Sequence, residues 1–278
     1  MRAHDRVAAR GGDVRAASAE GGALLEGRGL VRAFGVGRHR LVAVDDVSVS
    51  LRRGRTLGVV GESGSGKSTL GAMLGGLLEP TAGDVLLDGV PLAQMGRRER
   101  RETVAQRVQF IFQDPTGSLN PSFTVRRAIE DPLRVLSPEL SRAGRARACE
   151  EALERVGLPR ATLDRRPREL SGGQAQRVAI ARALVCSPDV IVCDECTSAL
   201  DVSVQAQILN LLVELQRTLG TAYVLISHDM AVVAHMADDV LVMRAGRAVE
   251  AGPCQRVLDA PTDPYTSQLV EAAEAMRP

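Results

Sequence analysis

The sequence predicts an α/β fold built on a mostly parallel sheet. Three observations carry that prediction: short β-branched runs without polar alternation, helical patterns lying between them, and a glycine-rich turn that joins one run to a helix. The runs are TLGVV (56–60), VQFIF (108–112), DVIVC (189–193), AYVLI (222–226) and DVLVM (239–243), each the length of a strand buried on both faces. Helical patterns over 67–78, 142–156, 172–186 and 202–218 alternate with them, as a parallel sheet with crossover helices requires.

The remaining elements follow in chain order. Residues 1–23 show no apolar periodicity and contain two Gly-Gly pairs, so they are expected to form a flexible tail. Segments 24–34, 42–51 and 84–88 read as strands with polar breaks, which predicts an N-terminal antiparallel β-subdomain. Between Asp114 and Pro188 no strand-like run intervenes, and the helical pattern is broken at Pro115, Pro121, Pro132, Pro138 and Pro159. A helical subdomain over about 114–188 is therefore expected as an insertion between two core strands. The main domain is expected over 24–252, with a short helical extension over 253–278.

Composition excludes several classes of function. The 278 residues are 45% apolar and 25% charged, with 35 Lys plus Arg against 34 Asp plus Glu. A net charge of +1 gives no field for holding nucleic acid, and four Phe, two Tyr and no Trp make a poor base-stacking platform. No stretch approaches the ~18 apolar residues of a membrane span, and residues 1–23 lack the apolar segment of a secretory signal. The chain is expected to stay in the cytosol. Its five cysteines, at 149, 186, 193, 196 and 254, show no disulfide-framework spacing. Cys193 and Cys196 have C-x-x-C spacing, but no second Cys or His pair completes a zinc set, and Cys193 is expected to point into the core.

All but one of the 35 basic residues are arginine. The exception, Lys67, lies in GESGSGKST (61–69), which fits G-x-x-x-x-G-K-[ST] after a buried strand and at the start of a helix. Glycines let consecutive backbone N–H groups curl around phosphate oxygens, and the helix N-terminus adds partial positive charge. Lys67 would bridge the β- and γ-phosphates and Ser68 would ligate Mg²⁺. An ammonium fits inside such a cradle, whereas a guanidinium is a planar fork. The core is thus expected to be a P-loop NTPase (RecA-like) domain. DVIVCDE (189–195) ends a buried strand in two carboxylates: Asp194 where Mg²⁺ is held through water, and Glu195 one position on, able to take a proton from an attacking water.

LSGGQ (170–174), followed by AQRVAIARAL and lying between the phosphate loop and the Asp-Glu strand, resembles the signature motif of ABC-type ATPases. SALD (198–201) resembles that family's D-loop, with Asp201. Gln113 in FQDP resembles its Q-loop, His228 in LISHD its switch histidine, and Phe34 the aromatic that stacks on adenine. The resemblance spans about residues 24–270. It implies ATP and Mg²⁺ as cofactors, and nucleotide contacts from Phe34, Gly61, Glu62, Ser63, Gly64, Ser65, Gly66, Lys67, Ser68 and Thr69. It implies metal ligation by Ser68, Gln113 and Asp194, and catalysis by Glu195, His228, Lys67 and Gln113. Ser171, Gly172, Gly173 and Gln174 would face the γ-phosphate of ATP held by a second ATPase subunit, identical or paralogous.

Within that family FIFQDPTGSLNP (110–121), DECTSALD (194–201), RAGRAVEAGP (244–253) and DPYTSQLV (263–270) resemble the ATPase subunits of oligopeptide, dipeptide and nickel importers. The resemblance implies two permease subunits, an extracytoplasmic solute-binding protein acting indirectly, and a place on the cytoplasmic side of the membrane. A soluble ABC ATPase of DNA repair or translation is the alternative. Such chains usually carry tandem cassettes, long coiled-coil insertions or basic segments, and this one has none. Three positions depart from the usual pattern: Cys196 where Pro is common, Ala175 after the signature, and Arg166 with Arg168 in place of Tyr and His. Arg97, Arg98, Arg100 and Arg101, tempered by Glu99 and Glu102, read as a solvated helix face or a weak lipid-attracting patch.

Overall fold

A computed structural model describes residues 22–35 and 40–275, so the tail expected over 1–23 falls outside the described residues except for its last two. Strands β1 (Leu25–Phe34), β2 (Leu41–Leu51), β4 (Ala82–Leu87) and β5 (Val90–Pro91) form an antiparallel sheet in the order β2-β1-β4-β5. Strands β3 (Thr56–Val60), β6 (Val108–Ile111), β7 (Val190–Asp194), β8 (Ala222–Ser227), β9 (Asp239–Arg244) and β10 (Arg247–Pro253) form the second sheet in the order β10-β9-β3-β8-β7-β6. All its neighbours are parallel except β10, which closes the edge antiparallel to β9.

The uninterrupted apolar runs have the consequence expected of them. Alternate side chains of one strand enter different cores: Val190 and Val192 face the antiparallel sheet, while Ile191 and Cys193 face the opposite layer. Helix α1 (Lys67–Leu74) lies between the two sheets, with Leu70, Met73 and Leu74 buried. It stops four residues before the predicted end. Gly76 takes φ 69°, and a Cβ on Gly75 would lie 2.0 Å from the Phe110 ring, so the chain turns away where the ring presses on it.

Between the parallel neighbours β6 and β7 the chain is helical: α3 (Pro115–Ser118), α4 (Val125–Leu136), α5 (Arg142–Arg155) and α6 (Gly172–Leu184). Two prolines predicted as breaks do something else. Pro115 opens α3, where its missing N–H costs nothing, and Pro132 lies inside α4. α4 continues through Pro132 because Val125, Ala128, Ile129 and Leu133 bury its apolar stripe. Glu130, also buried on α4, is paired by Arg134 and by Arg145 of α5.

Helix α2 (Arg97–Arg107) buries no residue, and its arginine cluster is partly neutralised by the Arg98–Glu102 and Arg100–Glu79 pairs. Helix α7 (Val202–Leu219) covers the outer layer of the parallel sheet, burying Ile208, Leu212 and Leu215. Helices α8 (Met230–Met236), α9 (Cys254–Asp259) and α10 (Pro264–Ala275) share a third core with Val60, Val240 and Val242. Among the described residues no helix is long and apolar enough to cross a membrane.

Candidate active site

The site lies along the C-terminal ends of the parallel strands. β3 runs directly into the loop 61–66, and α1 begins at Lys67. Two of the loop glycines answer to neighbouring backbone as well as to phosphate: a Cβ on Gly61 would lie 2.1 Å from the Met243 carbonyl oxygen, and one on Gly66 2.2 Å from that of Ala43. Both take positive φ, 153° and 101°. Ser63 and Gly64 are exposed at the tip of the loop, and Ser65 is buried.

Lys67 is 4% exposed, and its Nζ donates to the carbonyl oxygens of Gly61 and Glu62, both at 2.8 Å. Burial lowers its pKa against the opposing pull of Glu195 and Asp194. Ser68 Oγ donates to Asp194 Oδ1 at 3.0 Å, joining the first turn of α1 to the end of β7. Thr69, next on α1, is half-buried. Burial raises the Asp194 pKa; the Ser68 hydroxyl and Lys67 act against this and the Glu195 charge adds to it.

Glu195 follows at φ 49°, a left-handed conformation uncommon outside glycine. Its N–H donates to the Ile226 carbonyl at 3.1 Å, which ties the end of β7 to β8. The carboxylate comes within 3.5 Å of His228 Nδ1, and His228 follows directly on β8. Lys67, Ser68, Asp194, Glu195 and His228 are therefore one constellation, although 161 positions separate Lys67 from His228.

The other sequence-predicted residues lie apart from it in the single chain. Gln113 is exposed two residues past β6, whose Ile111 pairs with Cys193, and no described contact joins it to Ser68 or Asp194. Phe34 ends β1, with the Arg32 guanidinium 4.8 Å from its ring centroid. Ser171 caps α6: its Oγ accepts from the Gln174 N–H at 3.3 Å, and Gln174 Oε1 accepts from the Ser171 N–H at 3.2 Å. Gly172 is exposed, and a Cβ on Gly173 would lie 2.8 Å from Val204 on α7. Asp201 caps α7, accepting from the Val204 N–H at 2.9 Å and the Ser203 hydroxyl at 2.7 Å, which lowers its pKa. Cys193 points into the core as expected, and Cys196, past the strand end, is also buried, at 2% exposure.

Comparison with known proteins settles the class. The ABC transporter family model matches residues 44–198, more than half of the chain. This chain belongs to the ABC transporter family. The Escherichia coli dipeptide transport ATP-binding protein DppF is 46% identical over 244 residues, covering 86% of this chain and 72% of the relative. The Salmonella typhimurium oligopeptide transport ATP-binding protein OppF is 49% identical over 232 residues, covering 84% and 69%. Among solved structures, cbiO1 from Clostridium perfringens, part of the transporter complex cbiONQ, matches with TM-score 0.77 at 30% identity, covering 86% of this chain and 92% of that one. The ATP-binding cassette MJ0796, in a dimeric post-hydrolysis state with ADP and Pi, matches with TM-score 0.75 at 28% identity over 83% and 98%.

The chain is accordingly an ATP-hydrolysing subunit of an ABC transporter with the P-loop NTPase fold. One residue at this ABC site escapes motif reasoning. Tyr265 of α10 accepts the Glu62 N–H of the phosphate loop at 2.8 Å. The only signal for it is an aromatic with a polar tip in DPYT, 203 positions away from its partner.

Proposed function

We propose that this subunit powers import of a peptide-like solute, oligopeptide, dipeptide or nickel complex, by hydrolysing ATP at the constellation around Lys67. The 3.5 Å approach of Glu195 to His228, beside the Ser68–Asp194 pair, carries the reading. Glu195 accepts a proton from the attacking water, and His228 holds that carboxylate and the γ-phosphate in register. Lys67, held by its two carbonyl partners, turns the third N–H of its ammonium to the phosphate oxygens. Ser68 and Asp194 fit Mg²⁺: both are hard oxygen donors, and Asp194 is a half-buried carboxylate whose charge is poorly compensated without a cation. The ion, held there with Gln113, would neutralise charge on the β- and γ-phosphates. Phe34 offers adenine the ring face that Arg32 does not take.

The chain supplies half of each site. Ser171–Gln174 bond to one another at an exposed helix start and make no described contact with residues 61–69 of the same chain, which supports their use on ATP held by a second subunit. Asp201 caps the start of α7, whose Val204 lies against Gly173 of the signature. That second subunit is identical or paralogous, and closure of the pair on ATP rocks two permease subunits between their faces. A groove of about 1020 Å³ beside Gln113, lined by Leu77, Phe110, Phe112, Val135, Arg97 and Arg101, is the place for a permease loop. The subunit thus sits on the cytoplasmic side of the membrane through its permeases, and meets the extracytoplasmic solute-binding protein only through them. The soluble repair or translation alternative has no support among relatives named as transport subunits.

Glu195→Gln tests the assignment. It should bind ATP, hydrolyse it at least about tenfold more slowly and accumulate as an ATP-bound dimer on size exclusion. Turnover near the wild-type rate would remove Glu195 as the base.

A further inference from the structure

The C-terminal helix reaches into the phosphate loop and clamps one peptide group. The Gly61–Glu62 peptide is held at both ends: its C=O accepts from Lys67 Nζ at 2.8 Å, and its N–H donates to Tyr265 Oη at 2.8 Å. A peptide is planar, so an acceptor fixed on the N–H side sets the direction in which the carbonyl points. Here the carbonyl points at the ammonium.

Tyr265 is itself held on every side. It is 3% exposed, and its ring lies under the Arg244 guanidinium, 4.8 Å from the centroid. Arg244 follows Met243, whose carbonyl closes on Gly61. Asp263 Oδ1 accepts the Tyr265 N–H at 2.8 Å. The turn before α10 is bound to the buried Glu250 of β10, which accepts the Thr262 N–H and Asp263 N–H at 3.1 Å and the Thr262 hydroxyl at 2.9 Å. Val270 and Ala273 of α10 then pack with Val60, the residue before Gly61. The phenol is a rigid fixture of the third core, not a mobile side chain.

We propose that Tyr265 is a positioning residue for Lys67: its hydroxyl fixes the Gly61–Glu62 peptide, and so pre-forms the phosphate loop that ATP meets. The proposal rests on the assignment of residues 61–69 to the phosphates. Pre-forming a loop lowers the ordering cost of binding, so its loss falls on affinity and leaves the Glu195–His228 geometry alone.

The test is Tyr265→Phe in the full chain, which keeps the ring, its packing and the Arg244 contact. ATP affinity is measured by calorimetry with Mg²⁺ chelated, and KM and kcat are measured with Mg²⁺ present. One hydrogen bond in this setting is worth on the order of three- to tenfold. Kd and KM should both rise by that factor, while kcat at saturating ATP stays within about twofold. Unchanged Kd and KM overturn the proposal, as does a fall in kcat and melting temperature with KM unmoved. Lys67→Ala separates the two readings. If it keeps wild-type ATP affinity, the phosphate-loop assignment fails; if it loses ATP while Tyr265→Phe binds normally, the Tyr265 proposal alone fails.

Discussion

Lys67 Nζ rests between two carbonyl oxygens at 2.8 Å in a pocket that leaves the side chain 4% exposed. A guanidinium is too broad for that space and points its donors along a fixed fork. Lys67→Arg, which substitutes the residue used at every other basic position, should cost at least tenfold in kcat/KM, and calorimetric ATP binding comparable to wild type would contradict the steric argument. Asp194 carries the opposite tension. Burial raises its pKa above the ordinary 3.8, so folding disfavours its ionised form relative to the unfolded chain. Its contribution to stability is favourable below that ordinary value, is lost as pH rises through the raised one, and at neutral pH is a net cost. Asp194→Asn should therefore raise the melting temperature of the nucleotide-free chain at pH 7 while lowering hydrolysis, and a lowered melting temperature would show that the Ser68 and Lys67 contacts outweigh burial. Lys67 and Ser68 were legible in the sequence because a strand, a glycine turn and a helix start lie consecutively, and Asp194 because a buried apolar run ends in two carboxylates. The Tyr265 contact was not, because nothing local to α10 says which loop its hydroxyl meets.

At the level of elements, β3 and α8 approach so closely that only glycine fits between them. A Cβ on Gly58 would lie 2.4 Å from Val233 Cγ1 and 3.0 Å from the Ala237 Cβ. Val233 is β-branched and cannot swing away, so Gly58→Ala has to push α8 outward. That should cost about 1–3 kcal/mol in a denaturant titration. It should also lower kcat, since α8 starts two residues after His228. A stable variant with full turnover would mean that α8 floats free of β3. The parallel strands were readable because burial on both faces writes a continuous apolar run. β10 was not: Arg247–Pro253 lies at the sheet edge, has one β-branched residue and ends in Gly-Pro, so its pairing with β9 leaves no period in the chain. In α4 the local signal pointed the wrong way. Pro132 argues for a break, and only the burial of four apolar side chains against the neighbouring helices outweighs it.

For the whole molecule, the decisive feature is that the signature and the phosphate loop lie in one chain yet make no described contact. If two chains pair head to tail, each site takes residues 61–69 from one and 171–174 from the other, and two defective chains can repair each other. Lys67→Arg keeps a sound signature and Ser171→Arg a sound phosphate loop; each alone should be nearly inactive. In a mixed dimer, one site combines both lesions and the other combines both sound halves. With random pairing half of the dimers are mixed, so an equimolar mixture should regain about a quarter of the wild-type hydrolysis per chain. The recovery should rise with protein concentration as dimers form. A mixture as inactive as its components, under conditions where Glu195→Gln forms the ATP-bound dimer, would place each signature on its own chain's nucleotide. If Glu195→Gln forms no dimer alone and does so only with a second, related ATPase, the two sites of the working transporter are built from different chains. The same repair should then appear only when the Lys67 and Ser171 lesions are divided between this chain and its paralogue.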